Sequence, residues 1–306
     1  MHAITALFPM PALWDEFAPH LRRACAEAGL QVDLLAEAAP ATVDVIVYAP
    51  SSALQDFAPF TACRLVQSLW AGVERITPNQ SLTQPLCRMV DPALTAGMVE
   101  WVAGHVLRHH LGMDRHILNP GHLWDPTCPP LARERPVAML GMGALGTACA
   151  GALRALGFPV TGWSRTARPG LLTGEDGLQA ALSAAQIVVT LLPKTPDTEN
   201  LLNAARLNHL PRGAIILNPG RGALIDDAAL LAALDTGQIG HATLDVFRTE
   251  PLPPDHRFWS HPSVTVTPHV AADTRPASAA RLVAENIRRA MSGEPLLHRV
   301  DRARGY

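Results

Sequence analysis

Three side chains in the C-terminal half have the types and settings for joint proton and anion chemistry. They are Arg221 in "LNPGRGALIDD", Glu250 in "LDVFRTEP" and His269 in "VTVTPH". A guanidinium cannot shed its charge, so at the end of an apolar run it must meet an anion or water. Its planar fork matches a carboxylate. Imidazole titrates near neutrality and can give or take a proton. A carboxylate beside it would favour the protonated ring. Singly, each residue has an ordinary explanation: a histidine after proline often serves only as a hydrogen-bonder, and most glutamates face water. As a set they predict an anion clamp, Arg221, working with a proton donor, His269, tuned by Glu250.

Such residues need strands to deliver them, because ligands of open α/β sheets meet the carboxyl ends of strands. Arg221 follows "AIILN", Glu250 follows "HATLDVF", and His269 ends "VTVTPH". With "VAMLGM", "VTGWS" and "QIVVTLL", these runs form a second α/β stretch beginning at Val137. The first stretch reads as strands at "HAITALF", "QVDLL", "VDVIVYA", "CRLVQSL" and "LCRMV". A helix, "ALWDEFAPHLRRACAEAG", lies between the first two and ends at Gly29, a residue suited to a helix C-terminus. The periodicity predicts one helix over 93–117, then a proline-rich surface connection over 119–136, and a last helix in "RPASAARLVAENIRRAMSG". Strand and helix alternate almost throughout, which predicts the α/β class with mostly parallel sheets. Two domains joined by two helices, with the last helix returning to the first domain, is the simplest arrangement. The ligand is then expected in a cleft between them.

The run "VAMLGMGALGTACAGALRALGF" is a strand, a G-x-G-x-x-G turn and a small-residue helix, which points to a dinucleotide. Gly141 permits the tight turn, Gly143 lets the backbone approach a pyrophosphate, and Gly146 lets helix and strand pack. Ala144 and Leu145 open the helix, whose free N–H groups suit phosphate. An NAD site would show Asp or Glu at the end of the next strand. Here that place reads "GWSRTARPG", so Ser164, Arg165, Thr166 and Arg168 favour a 2′-phosphate, hence NADPH over NADH. A hydride carrier beside the Arg221, Glu250 and His269 set suits reduction of a 2-keto acid.

Composition narrows the remaining classes. Apolar residues make up 48% of 306 and charged residues 17%, so a large core is expected. A net charge of −2 gives no basic field for nucleic acid or an anionic membrane. No run is long enough to span a membrane, and the start, "MHAITALFPMPALWDEF", lacks the basic region of a signal peptide. Five scattered cysteines fit reduced thiols in the cytoplasm and show no metal-site spacing. No metal is expected.

The segments "LLPKTPDTENLLN", "LNPGRGALIDDAALLAALDTGQI", "LDVFRTEPLPPDHRFWSHPSVTVTPHVAA" and the ending "VDRARGY" resemble the D-isomer-specific 2-hydroxyacid dehydrogenases, in particular the bacterial glyoxylate/hydroxypyruvate reductase A branch. The likeness runs from about Asp91 onward and is patchier before it. It implies two Rossmann-like doubly wound domains, with a dinucleotide-binding domain (93–274) inserted into a substrate domain (1–92 and 275–306), usually in a homodimer. It implies Arg221, Glu250 and His269 as the catalytic set. "SLWAGVERI" resembles the loop whose amides near Ala71, Gly72 and Val73 grip the substrate carboxylate, with Trp70 as a further substrate-binding candidate, although Trp70 and Glu74 depart from the usual G-A-G-V-D. Tyr48 stands where that branch tends to place an aromatic against a small substrate. Leu192, Pro193, Thr198, Pro219 and Gly220 resemble cofactor-lining positions, Asp245 the carboxylate that meets the nicotinamide amide, and Met98 a wall beside the ring. The implied reaction is NAD(P)H-dependent reduction of glyoxylate to glycolate or hydroxypyruvate to D-glycerate. Two alternatives stay open: a dehydrogenase of the same fold for another or bulkier 2-hydroxy acid, and a non-catalytic NAD(P)-sensing protein.

Overall fold

A computed structural model describes residues 3–303 and 305. The chain divides into two units, Met1–Leu94 with Asp273–Tyr306, and Thr95–Ala272. Each is built on one wholly parallel sheet.

In the first unit β1 (Ile4–Leu7), β2 (Val32–Leu35), β3 (Val45–Tyr48), β4 (Leu65–Ser68) and β5 (Leu86–Cys87) lie in the order β2-β1-β3-β4-β5. Helix α1 (Trp14–Glu27) joins the first two strands, and Gly29 just beyond it is left-handed at φ +72°. Strand β3 shows why its sequence is apolar at every position. Val45 and Val47 enter one core with Phe8, Leu21 and Val283, while Ile46 and Tyr48 enter another with Phe57 and Val66. A parallel strand covered on both faces reads as a continuous apolar run.

Helix α2 (Pro92–Leu111) enters the second unit at Thr95 and is followed by α3 (Asp114–Ile117). Then come β6 (Val137–Leu140), α4 (Ala144–Ala155), β7 (Val160–Trp163), α5 (Gly174–Ala184), β8 (Ile187–Thr190), α6 (Ala204–Asn208) and β9 (Ala214–Asn218). Helix α7 (Asp227–Asp235) and strands β10 (Ile239–Leu244) and β11 (Val264–Val266) complete it. The sheet order is β11-β10-β9-β8-β6-β7. Again the faces alternate: Ala138 and Leu140 of β6 join one core, Val137 and Met139 the other. The two sheets give the Rossmann-like doubly wound class expected from the sequence.

The last helix, α8 (Pro276–Ser292), belongs to the first unit. Asn286, fully buried, donates from Nδ2 to Gln67 Oε1 of β4 at 2.6 Å. Ala279, Val283 and Ile287 fill the core around α1.

All eleven strand-like runs contain a strand. The run 2–8 holds β1 from Ile4 onward; its His2, like Arg304 and Tyr306 of the ending "VDRARGY", lies outside the described residues. The single helix expected over 93–117 is corrected to α2 and α3. The apolar period continues past the break, but Gly112 takes a left-handed φ of +62°, which ends α2. The amide of Met113 turns back to the Arg108 carbonyl (3.0 Å), and Arg108 Nε donates to Asp114 of α3 at 2.7 Å. Residues 119–130 are nearly all exposed, as the composition of that passage predicts.

Candidate active site

Strand register lines up the candidate residues of the second unit. Trp163 pairs with Leu140, and Leu140 with Thr190. Asn218 pairs with Leu244, and Leu244 with Val266. The Thr190 hydroxyl closes the row by donating to Asn218 Oδ1 at 2.7 Å. Every candidate cofactor or catalytic residue of this unit except Met98 follows this row, at the carboxyl end of its strand. The chain runs one way from β6 to β7 and the other way from β8 to β11, so the glycine turn after β6 sits where the strand order reverses.

The three glycines of that turn have distinct reasons. Gly141 has φ +105°, and a Cβ there would lie 2.5 Å from the Leu191 carbonyl oxygen. A Cβ on Gly146 would lie 1.8 Å from the Gly141 oxygen, so α4 can approach β6 only without one. A Cβ on Gly143 would meet nothing within 4 Å, which leaves open space where a pyrophosphate must approach. Gly143 caps α4, and Ala144, Leu145 and Gly146 form its first turn. These residues fit a dinucleotide.

After β7, Ser164 is buried and its hydroxyl donates to the Thr166 carbonyl at 2.5 Å. Arg165 meets Asp197 at 2.7 Å and the Thr195 hydroxyl at 3.2 Å, while Arg168 donates to the Met142 carbonyl inside the glycine turn at 3.0 Å. Thr166 and Arg168 are exposed. In the loop after β8, Leu192 is buried and Pro193 half-buried. Thr198, fully buried, closes this turn by donating to the Pro193 carbonyl (2.7 Å) and accepting from the Thr195 amide (2.8 Å). Lys194, the chain's only lysine, is exposed there.

Beyond β9, Asn218 shapes the turn that carries Arg221. Its Oδ1 accepts the Gly220 amide (3.1 Å) and its Nδ2 donates to the Arg221 carbonyl (2.9 Å). Pro219 and Gly220 are buried, and Gly220 leaves room for the Thr190 carbonyl, 2.7 Å from where a Cβ would stand. Arg221 donates to the Gly220 carbonyl at 2.6 Å. Gly222 then packs on the strand-β10 exit so closely that a Cβ would lie 2.0 Å from the Phe247 carbonyl carbon.

That exit holds Glu250. Its Oε1 accepts the Phe247 amide at 2.9 Å, and its Oε2 lies 2.8 Å from His269 Nδ1. The His269 ring is 53% exposed on its side chain, so the pair is open to a ligand. His269 is held at φ +55°, a region few non-glycine residues occupy. Asp245 supplies the restraint. Its carbonyl accepts the His269 amide at 2.8 Å. Its carboxylate accepts the Thr267 hydroxyl (2.6 Å) and the amides of Val270 (2.9 Å) and Ala271 (3.0 Å). At 1% exposure, Asp245 faces the chain on both oxygens and acts as a latch for the histidine loop. Met98 of α2 is likewise buried, in the core that includes Ala271.

The structure thus joins His269 to Glu250 directly and ties the Arg221 turn to the Glu250 loop through Gly222. Such an arrangement can bind an anion and move a proton. Asn218 and Thr190 carry a quieter sequence signal, a polar residue ending an otherwise apolar buried strand. In the first unit Trp70, Ala71 and Gly72 follow the end of β4 and are half-buried. Tyr48 ends β3, 2% exposed, edge-on to Phe57 at 5.3 Å. Burial raises its phenol above the ordinary range. Among the described residues no helix could cross a membrane, and no group of three His, Cys, Asp or Glu could hold a metal ion.

Comparison with known proteins agrees with this geometry. The family model described as D-isomer specific 2-hydroxyacid dehydrogenase, NAD binding domain, matches residues 105–271. Glyoxylate/hydroxypyruvate reductase A of Salmonella typhi is 40% identical over 227 residues, 72% of this chain and 73% of that one. A D-isomer specific 2-hydroxyacid dehydrogenase from Xanthobacter autotrophicus Py2, solved with NADPH and MES, superposes with a TM-score of 0.92 at 37% identity over the whole of both chains. An NADPH-dependent glyoxylate/hydroxypyruvate reductase from Sinorhizobium meliloti, solved with NADP and sulfate, gives 0.85 at 36% identity, covering 99% of this chain and 100% of that one. A glycine turn at the sheet's switch point, a histidine–glutamate pair on the exits of β10 and β11 and these likenesses place the chain in the D-isomer specific 2-hydroxyacid dehydrogenase family of enzymes.

Proposed function

We propose that the protein reduces small 2-keto acids with NADPH, glyoxylate to glycolate and hydroxypyruvate to D-glycerate. The observation that carries this reading is the 2.8 Å pair between His269 Nδ1 and Glu250, set at a strand exit beside the Arg221 turn. With Nδ1 engaged by the carboxylate, Nε2 is the ring nitrogen left to face the substrate. The nicotinamide supplies the hydride when bound. Arg221 holds the keto acid's carboxylate and carbonyl oxygen, and His269 gives its proton to that oxygen as it becomes a hydroxyl. Glu250 keeps the imidazole oriented. In the oxidative direction His269 accepts the same proton.

In this reading Thr95–Ala272 binds the dinucleotide, with its phosphates at Gly141, Gly143, Ala144, Leu145 and Gly146, and Met1–Leu94 with Asp273–Tyr306 forms the substrate unit. Arg165 and Arg168, with Ser164 and Thr166, supply the 2′-phosphate site, since the turn after β7 carries two guanidiniums and no carboxylate. The amides of Ala71 and Gly72 beside Trp70 keep their proposed part in gripping substrate. Both relatives solved with NADPH or NADP support the cofactor preference. A cytoplasmic homodimer completes the proposal. Its support is a run of exposed apolar side chains, Ile117 (72%), Leu118 (74%), Leu123 (73%) and Trp124 (95%), which a second copy would cover.

A steady-state assay crossing NADPH and NADH with glyoxylate, hydroxypyruvate, pyruvate and a bulkier keto acid tests the proposal. Rapid NADPH oxidation with the two small acids is expected. Better turnover with NADH would remove the role given to Arg165 and Arg168. Turnover only with the bulkier acid would remove the substrate class, and none with any acid would leave a nucleotide-binding protein.

A further inference from the structure

Arg248 lies in the β10 exit loop, between Phe247 and Glu250, with its side chain about one-third exposed. Its guanidinium reaches three other segments of the same unit. From Nη2 it donates to the Ile225 carbonyl at 2.6 Å and to the Asn200 side-chain oxygen. From Nη1 it meets Glu199 at 3.4 Å, and Nε lies 3.6 Å from Asp227 at the start of α7. Glu199 and Asn200 continue the loop that holds Pro193 and Thr198. Ile225 follows the Arg221 turn by four residues. The same segments are stitched along the backbone, with the Asn200 amide donating to Ala223 (2.8 Å) and the Leu202 amide to Leu224 (2.9 Å). At Gly222 the peptide before Arg248 is in such close contact that a Cβ would lie 2.5 Å from the Arg248 nitrogen.

We propose that Arg248 is a positioning residue for the reaction, one cation that fixes the Arg221 turn and the β8 exit loop relative to the Glu250–His269 pair. Arginine suits this task because its rigid fork presents five donors to acceptors on different segments, whereas an ammonium is a point charge. The chemistry needs such a lock. The anion clamp and the proton donor stand on different strand exits, and neither is set by its own strand beyond the first few residues. A displacement of about 1 Å between reacting groups can lower a rate on the order of 100-fold. Arg248 touches none of the residues assigned to substrate, nicotinamide or 2′-phosphate, so its effect runs through loop geometry.

The inference rests on the proposed keto-acid reduction, and the test separates the two. Wild-type activity on glyoxylate with NADPH is measured first; its absence overturns the functional reading whatever the variants do. In Arg248→Met, which keeps the aliphatic stem and removes the fork, kcat/KM for glyoxylate is expected to fall on the order of 10- to 100-fold. KM should rise and kcat should fall, together by more than the NADPH dissociation constant read by fluorescence changes, because the glycine turn that would take the phosphates is not among the partners of Arg248. Arg248→Lys should recover only part of the loss. Wild-type kcat and KM in Arg248→Met, full rescue by lysine, or an equal loss of NADPH binding would each overturn the proposal. Thermal melting of both variants scales activity to folded protein, and if the methionine variant does not fold, the lysine variant alone decides.

Discussion

At residue 269 the backbone takes a φ of +55°, and Asp245 holds it there. In the proposed reaction the ring does proton work that asparagine, equally tolerant of this conformation, could not do. His269→Asn is therefore expected to lower kcat by roughly 100- to 10,000-fold, the usual worth of a positioned acid, while NADPH affinity and melting temperature hold. A variant that loses cofactor binding instead would mark the histidine as structural. Arg221 answers to a different readout. Removing a charge-assisted pair costs about 1.5–3 kcal/mol, so Arg221→Ala should raise KM for glyoxylate and depress kcat as well. Near-wild-type kinetics in that variant would remove the anion clamp. These residues were legible because their types are chemically conspicuous. Arg248 was not, since an arginine two residues before a glutamate gives no sign that its partners lie at 199, 200, 225 and 227.

Elements decide how those residues meet. Central strands such as β3, β6 and β8 are buried along their whole length and carry nearly unbroken apolar runs, which is why they stand out in the sequence. The break at Gly112 was hidden because apolar periodicity continues through it, and only the backbone angle shows the stop. Asp245 illustrates another limit. Its type and place after β10 were legible, but its bonds from Thr267, Val270 and Ala271 depend on the pairing of β10 with β11 and were not. Loop contacts at strand exits are correspondingly tight. In Gly222→Ala the new methyl would sit 2.0 Å from the Phe247 carbonyl carbon, so the Arg221 and Glu250 loops must part. Overpacking of this kind costs typically 1–3 kcal/mol. Urea unfolding should show that loss, together with a fall in kcat/KM larger than the stability change explains. Unchanged kinetics would mean that the two loops move independently.

For the molecule as a whole, acid is the expected weak point. His109 of α2 lies against His241 of β10, with ring centroids 4.8 Å apart and planes tilted by 46°, and each ring bonds a threonine hydroxyl, Thr243 at 2.8 Å and Thr265 at 2.9 Å. Burial, helped by neighbouring positive charge, pushes His109 down to about 3 and His241 down to about 4. Both are therefore neutral in the folded chain, whereas the unfolded chain takes up protons near pH 6.5. Their contribution is complete above about pH 6.5 and declines as pH falls towards 4, because the unfolded state binds more protons in that window. Unfolding free energy measured from pH 7 to 4 should drop, and His109→Gln with His241→Gln should flatten the slope; an unaltered slope would assign the acid sensitivity elsewhere. A different consequence follows from Lys194, solitary in its kind and standing in the turn between Pro193 and Thr195. Acylating reagents aimed at amines find one side-chain target on this protein, next to the proposed coenzyme groove. A fluorophore attached there should report dinucleotide arrival as a change in emission, and saturating NADPH should shield the lysine from labelling.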